Sequence, residues 1–135
     1  MNEELGSERL LLAREEGMKM VTRSWQEKSY RIFRKLPKQQ AFHFFTSVGN
    51  YTGESAASFE EFLDRIKEVD IKSLEFHLCR GDFEKWIAET LEDKQLAEEV
   101  LNLRDIMPTR DVMRKRLVTI VSKRCEKLLS EGVVE

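Results

Sequence analysis

Residues 58–69 read SFEEFLDRIKEV, and this stretch decides the fold class. Phe59, Phe62, Leu63 and Ile66 recur at the three- and four-residue spacing of one helix face, with charged residues on the other. Ser58 followed by Glu61 matches the capping box, in which a serine oxygen and a glutamate carboxylate satisfy amides that the first turn leaves unpaired.

Working downstream, Leu74, Phe76 and Leu78 alternate, while Leu74 and Leu78 also suit a helical turn. Gly81 breaks the chain, and Asp82 is expected to cap a helix at 83–91 that buries Phe83, Trp86, Ile87 and Leu91. A helix at 94–103 follows Asp93, with Leu96, Val100 and Leu103 on its face. After Pro108 the pattern predicts a long amphipathic helix over about 109–130, capped by Thr109 and striped with Met113, Leu117, Ile120, Val121 and Leu128. Lys123, Arg124 and Lys127 fall near its end, where the helix dipole favours cations.

Working upstream, residues 41–55 read AFHFFTSVGNYTGES. Phe42 and Phe44 alternate with polar and aromatic neighbours, so a short extended segment at 41–46 and a helix launched from Pro37 both remain open. Gly49 to Ser55 reads as a connecting loop. A helix is expected at 24–36, with Trp25, Ile32, Phe33 and Leu36 near one face, and another at 7–20. With only two prolines and six glycines in 135 residues, turn signals are too sparse for a β-rich domain. The expectation is a mostly α, single compact domain of about six helices, ending in the long C-terminal helix.

The chain is 41% hydrophobic and 36% charged with a formal net charge of −2, which places it among ordinary folded domains. No stretch is apolar enough to predict a membrane span, and the N-terminus is acidic where a secretory signal is basic, so a cytoplasmic location is expected. Cys79 and Cys125 are expected to be small buried hydrophobes rather than a disulfide.

The small net charge conceals segregation. Residues 1–38 carry nine Lys and Arg against six acids, residues 39–107 seven against fifteen, and residues 108–135 seven against four. A basic N-terminal arm (1–37), an acidic core (38–107) and a basic C-terminal helix (108–135) follow. The stretch 19–38 is the densest basic run, with Arg23, Arg31, Arg34, Lys35 and Lys38 as its candidate contacts, and together with the stretch 110–127 could follow a phosphate backbone. The competing reading packs these cations against the acidic middle.

Catalytic and metal patterns are missing from the sequence. His43, His77, Cys79 and Cys125 have no CxxC or HxxxH spacing, so no metal and no cofactor is expected. Gly49 to Ser55 ends in Gly-Glu-Ser where a phosphate loop needs Gly-Lys-Ser or Gly-Lys-Thr, and a carboxylate there repels phosphate. The Arg80-Gly81-Asp82 tripeptide is read structurally, the glycine permitting a bend and the aspartate capping the next helix.

The run from Phe42 to Leu103 resembles the archaeal and bacterial domain of unknown function family 5752. The resemblance is carried by Phe42-x-Phe44, the loop from Gly49 to Gly53, Ser58 to Leu63 with Val69-Asp70, and Ser73-Leu74-x-Phe76-His77. Asp82-Phe83-x-x-Trp86-Ile87 leading to Leu91-x-Asp93-x-x-Leu96-Ala97 completes it. This chain has Glu92 where the family tends to have glycine. The resemblance implies a small, mainly prokaryotic module without an established activity, and places His77 and Trp86 in its signature.

The expected function is a non-enzymatic interaction or regulatory module, with a protein partner or self-association. His77, Trp86, Tyr51, His43 and Arg80 are the candidate contact residues. Nucleic-acid binding through the basic stretches is the alternative, and an enzyme with an unrecognised site comes third.

Overall fold

The computed structural model describes residues 32–133. Their order is a 3-10 turn at Lys38–Gln40, strands β1 (Phe42–Ser47) and β2 (Asn50–Ala56), and helices α1 (Phe59–Glu68), α2 (Ile71–Arg80), α3 (Asp82–Glu89), α4 (Lys94–Ile106) and α5 (Arg110–Leu128). A π-helical turn, Leu129–Val133, follows α5. The architecture is mostly α, with five α-helices and one antiparallel hairpin among the described residues rather than six helices.

The expected helix 7–20 lies outside the described residues, as does 24–36 apart from its end, where residues 32 and 33 are helical. The single-domain expectation is also corrected. The chain divides into two compact units, Ile32–Glu126 and Met1–Arg31 with Lys127–Glu135, and the boundary falls inside α5. All that follows concerns the unit Ile32–Glu126.

The segment left open at 41–46 is strand from Phe42 onward, β1 running to Ser47. Phe42 and Phe44 turn inward to the core, and β1 pairs with β2 through Phe42 opposite Ala56, His43 opposite Ser55, Phe45 opposite Tyr51 and Ser47 opposite Asn50. The supposed loop 49–55 is therefore largely the second strand. Its alternation is hidden because the register slips twice, between His43 and Phe45 and between Phe45 and Ser47. Gly49, at φ 78°, supplies the left-handed residue that the turn needs. The Thr52 hydroxyl donates to the Phe44 carbonyl at 2.8 Å, adding a side-chain rung to the ladder.

The decisive stretch 58–69 is helical as its pattern requires. The Ser58 hydroxyl accepts the Glu61 amide at 3.1 Å, and the Glu61 carboxylate reaches back to the Ala57 amide at 2.8 Å, one residue earlier than in the usual box. Glu61 also pairs with Lys35, and that contact, with the Ala57 bond, holds its carboxyl below the usual range. At the other end, Arg114 of α5 donates to the carbonyls of Lys67 and Val69, at 2.8 and 2.6 Å, where α1 runs out of its own amides.

Phe44, Phe59, Phe62, Leu74, Phe83 and Leu96 lie among the fully buried side chains that bind hairpin and helices together. At full burial each large apolar side chain contributes about 1.5–3 kcal/mol. On α5 the inward stripe is Met113, Leu117 and Val121. Arg124, expected to serve the dipole at the helix end, is instead buried and paired with Asp93, its Nε 2.8 Å and its Nη2 3.0 Å from the two carboxylate oxygens. Asp93 also accepts the Leu96 amide at 3.2 Å and so caps α4 with the same carboxylate. Cys79 is exposed, contrary to expectation, because it falls on the outer face of α2, while burial pushes the half-buried Cys125 thiol up.

Candidate functional site

A groove of about 510 Å³ runs beside β1, walled by the hairpin on one side and by α2 and α3 on the other. Phe42, Phe45, Phe76 and Trp86 supply its apolar lining, Arg80, Asp82, Lys85 and Glu89 its charged groups, and Val48 at the hairpin tip is 84% exposed.

His77 sits within this wall at 4% exposure. Its Nε2 accepts the Phe45 backbone amide at 2.8 Å, and an imidazole nitrogen that accepts carries no proton. The remaining proton is therefore on Nδ1, which donates to the Asp82 carboxylate at 2.8 Å. The two bonds fix the neutral tautomer. Desolvation holds the His77 pKa below its usual value against the opposing pull of Asp82, with Arg80 a further, smaller depressing influence. Phe42, Phe44, Phe45, Phe76 and Phe83 enclose the ring at centroid distances of 4.8–6.4 Å.

Gly81 makes this geometry possible. At φ 80° it closes α2 and serves as the N-terminal flank of α3 in one residue. Asp82 is therefore already helical and caps nothing, which corrects its expected role: its carboxylate is turned to His77 and, at 3.4 Å, to Arg80.

A histidine held by an aspartate is the base-and-orienter half of a catalytic triad. Here the nitrogen that would take a proton from a nucleophile is occupied by a main-chain amide, and the pair fastens β1 to the α2–α3 corner instead. Among the described residues, no three His, Cys, Asp or Glu side chains come together to hold a metal.

The other candidates distribute as follows. Trp86 is 9% exposed, and its indole N–H donates to the Gln40 carbonyl at 2.9 Å, so it pins the entry to β1 and shows the groove only an edge. Arg80 lies over the Phe76 ring at 4.7 Å and is half exposed on the rim. His43 lines the groove and stacks edge-on against Tyr51 at 5.7 Å. Tyr51 is 47% exposed and adjoins the groove through His43 and Phe45 without lining it. The residues not anticipated as contacts are Phe45, Asp82 and Lys85. The available signal was the five-residue interval from His77 to Asp82 across a glycine helix break.

The basic candidates divide between engaged and exposed side chains. Arg23 and Arg31 lie outside the described residues. Arg34 donates to the Thr90 carbonyl at 3.3 Å, Lys35 pairs with Glu61, and Lys38 is exposed in the 3-10 turn. In the second stretch, Arg110 pairs with Glu75 at 2.6 Å, lowering that carboxyl, while Arg114 and Arg124 are engaged as described. Lys115, Arg116 and Lys123 stay exposed.

A second concavity, about 620 Å³, lies between α4 and α5 and is lined by Leu103, Ile106, Val112 and Ile120 with Lys115 and Arg116 at its edge. It has no hydrogen-bonded polar constellation like that around His77. No helix among the described residues is long and apolar enough to cross a membrane. No protein-family model, curated protein or solved structure matches the chain.

Proposed function

We propose that this chain is a non-enzymatic interaction module whose contact surface is the groove along β1, engaged by a protein partner or by a second copy. The supporting observation is the state of His77: the one buried group in the groove with the chemistry for proton transfer has both nitrogens occupied by the chain itself. What remains for a ligand is shape, aromatic surface and the charges Arg80, Lys85 and Glu89, the composition of a docking surface rather than of a reaction centre.

Nucleic-acid binding is the less supported alternative. Of the basic residues expected to carry it, Arg110, Arg114 and Arg124 spend their guanidinium donors on Glu75, the end of α1 and Asp93.

The test is affinity capture and light scattering on the full chain, wild type against a Val48→Asp, Lys85→Glu double variant. Retention of a partner or a dimer by the wild type and its loss from the folded variant is expected. A strict monomer that captures nothing refutes the module reading. Salt-dependent binding to duplex or single-stranded nucleic acid at about 50 mM salt would favour the alternative.

A further inference from the structure

Two donors cannot share one hydrogen bond, and this makes the attachment of β1 conditional. Phe45 gives its amide proton to His77 Nε2, while His77 gives its Nδ1 proton to Asp82. A second proton on the ring must enter at Nε2, where the Phe45 N–H already points. The bond to β1 is then replaced by donor–donor repulsion, while the bond to Asp82 becomes a charge-assisted ion pair and strengthens.

We propose that His77 is an acid-operated latch: its protonation releases β1 from α2, the imidazolium staying with Asp82, and opens the groove along the hairpin. The use of that opening rests on the interaction reading above; the latch itself does not.

The surroundings set its direction. From α2 the charged neighbour is Arg80, which opposes a second positive charge on the ring. From α3 the neighbours are Asp82, which favours it, and Lys85 and Glu89 along the same groove. β1 brings His43, whose ring is against Tyr51, and otherwise only Phe42, Phe44 and Phe45. The aromatic enclosure gives an imidazolium in the closed form no solvation, so the charge is accommodated by letting the hairpin move. The rest of the contact of β1 with α2 and α3 is apolar, apart from the Trp86 indole bond to Gln40 at the strand's entry, which contains no group that titrates in this range; β2 stays tied to α1 through Arg65, whose Nε donates to the Ser55 carbonyl at 3.0 Å and pairs with Glu54 at 3.3 Å, so the movement is of β1 away from α2.

The release begins below the ordinary histidine value of about 6.5, and the opening equilibrium grows about tenfold per pH unit until the lower value of the closed form is reached. The measurement is residue-resolved amide hydrogen exchange by NMR on the full chain, from about pH 7.5 to about pH 5, with each rate divided by its intrinsic rate at that pH. Phe45 is expected to exchange faster than the buried amides of α4 at every pH, and its protection to fall about tenfold per unit over the window. In His77→Gln, whose side-chain oxygen accepts the amide but takes no proton, Phe45 protection becomes independent of pH. In Asp82→Asn the fall moves to lower pH, because the anion that holds the imidazolium is gone. That second variant decides the matter if His77→Gln does not fold. Constant Phe45 protection in the wild type, Phe45 exchanging at the same rate as α4, or an unshifted fall in Asp82→Asn would each overturn the latch.

Discussion

The Asp93–Arg124 pair makes the sharpest energetic prediction. Both side chains are buried, the guanidinium meets the carboxylate through two bonds of 2.8 and 3.0 Å, and the residues lie 31 positions apart. Asp93→Ser keeps an oxygen to cap α4 but strands a buried cation, and Arg124→Met leaves a buried carboxylate with only the Leu96 amide. Breaking a buried pair from one side costs about 3–5 kcal/mol. Since each desolvated charge is costly in itself, removing both leaves an apolar contact and a working cap, and the double variant should lie within about 1 kcal/mol of the wild type. The cycle therefore closes with a favourable coupling of at least about 5 kcal/mol. Urea unfolding followed by Trp86 fluorescence in a Trp25→Phe background reads this out, each single variant lowering the midpoint by about 1.5–2.5 M at a slope of about 2 kcal/mol per M. Asp93→Ala should fall about 1 kcal/mol below Asp93→Ser, the cap being lost as well. A double variant destabilised by the sum of the singles would refute the argument, as it would mean that the two charges act independently.

Three further outcomes are expected. Glu92 holds a left-handed φ of 63° that costs a side-chain-bearing residue about 1–2 kcal/mol, so Glu92→Gly should stabilise the protein by about 0.5–1 kcal/mol after the entropy that glycine adds to the unfolded chain; a lower urea midpoint would contradict this. Gly81→Ala should cost at least about 1 kcal/mol, because φ is 80° and the added carbon would sit 3.1 Å from Arg104 Nη1 and 3.3 Å from Glu84 Oε2; an unchanged midpoint would mean that the α2–α3 corner is plastic. Finally, the lowered His77 pKa means that the unfolded chain binds a proton more readily than the folded one. Stability is therefore lost as pH falls through about 6.5 toward the lower folded value, by at most about 1.4 kcal/mol per unit, and levels off below it. His77→Gln should remove that slope, as denaturant midpoints between about pH 7 and pH 5 would show.

What the sequence disclosed was what short-range pattern can carry. The stripe and cap of α1 are encoded within a dozen consecutive residues, and α4 is likewise announced by Asp93 and the spacing of Leu96, Val100 and Leu103. The hairpin was only half visible because its two register slips interrupt the period-two alternation, and because Gly49 and Gly53, residues that usually mark a loop, here bend a strand pair. The structural role of Asp82 was obscured by Gly81, which compresses a cap and a junction into one residue. Arg124 had a plausible local explanation at the helix terminus, and nothing local marks a partner 31 residues away. The same holds for His77 and Phe45, 32 residues apart: the histidine stood out, but the backbone amide it accepts has no signature in sequence.

The junction at Gly81 leaves α2 and α3 with no slack between them, so their angular phase is set by residue count. One alanine inserted after Gly81 would rotate every later position of α3 by about 100° and advance it about 1.5 Å. Asp82 would be carried away from His77, and Phe83 and Ile87 would turn out of the core. A chain built this way tolerates changes of residue on the outer face of its corner more readily than changes of length, so among natural variants of this fold the exposed Cys79 and Arg80 should vary more freely than Gly81 or than the spacing from His77 to Asp82.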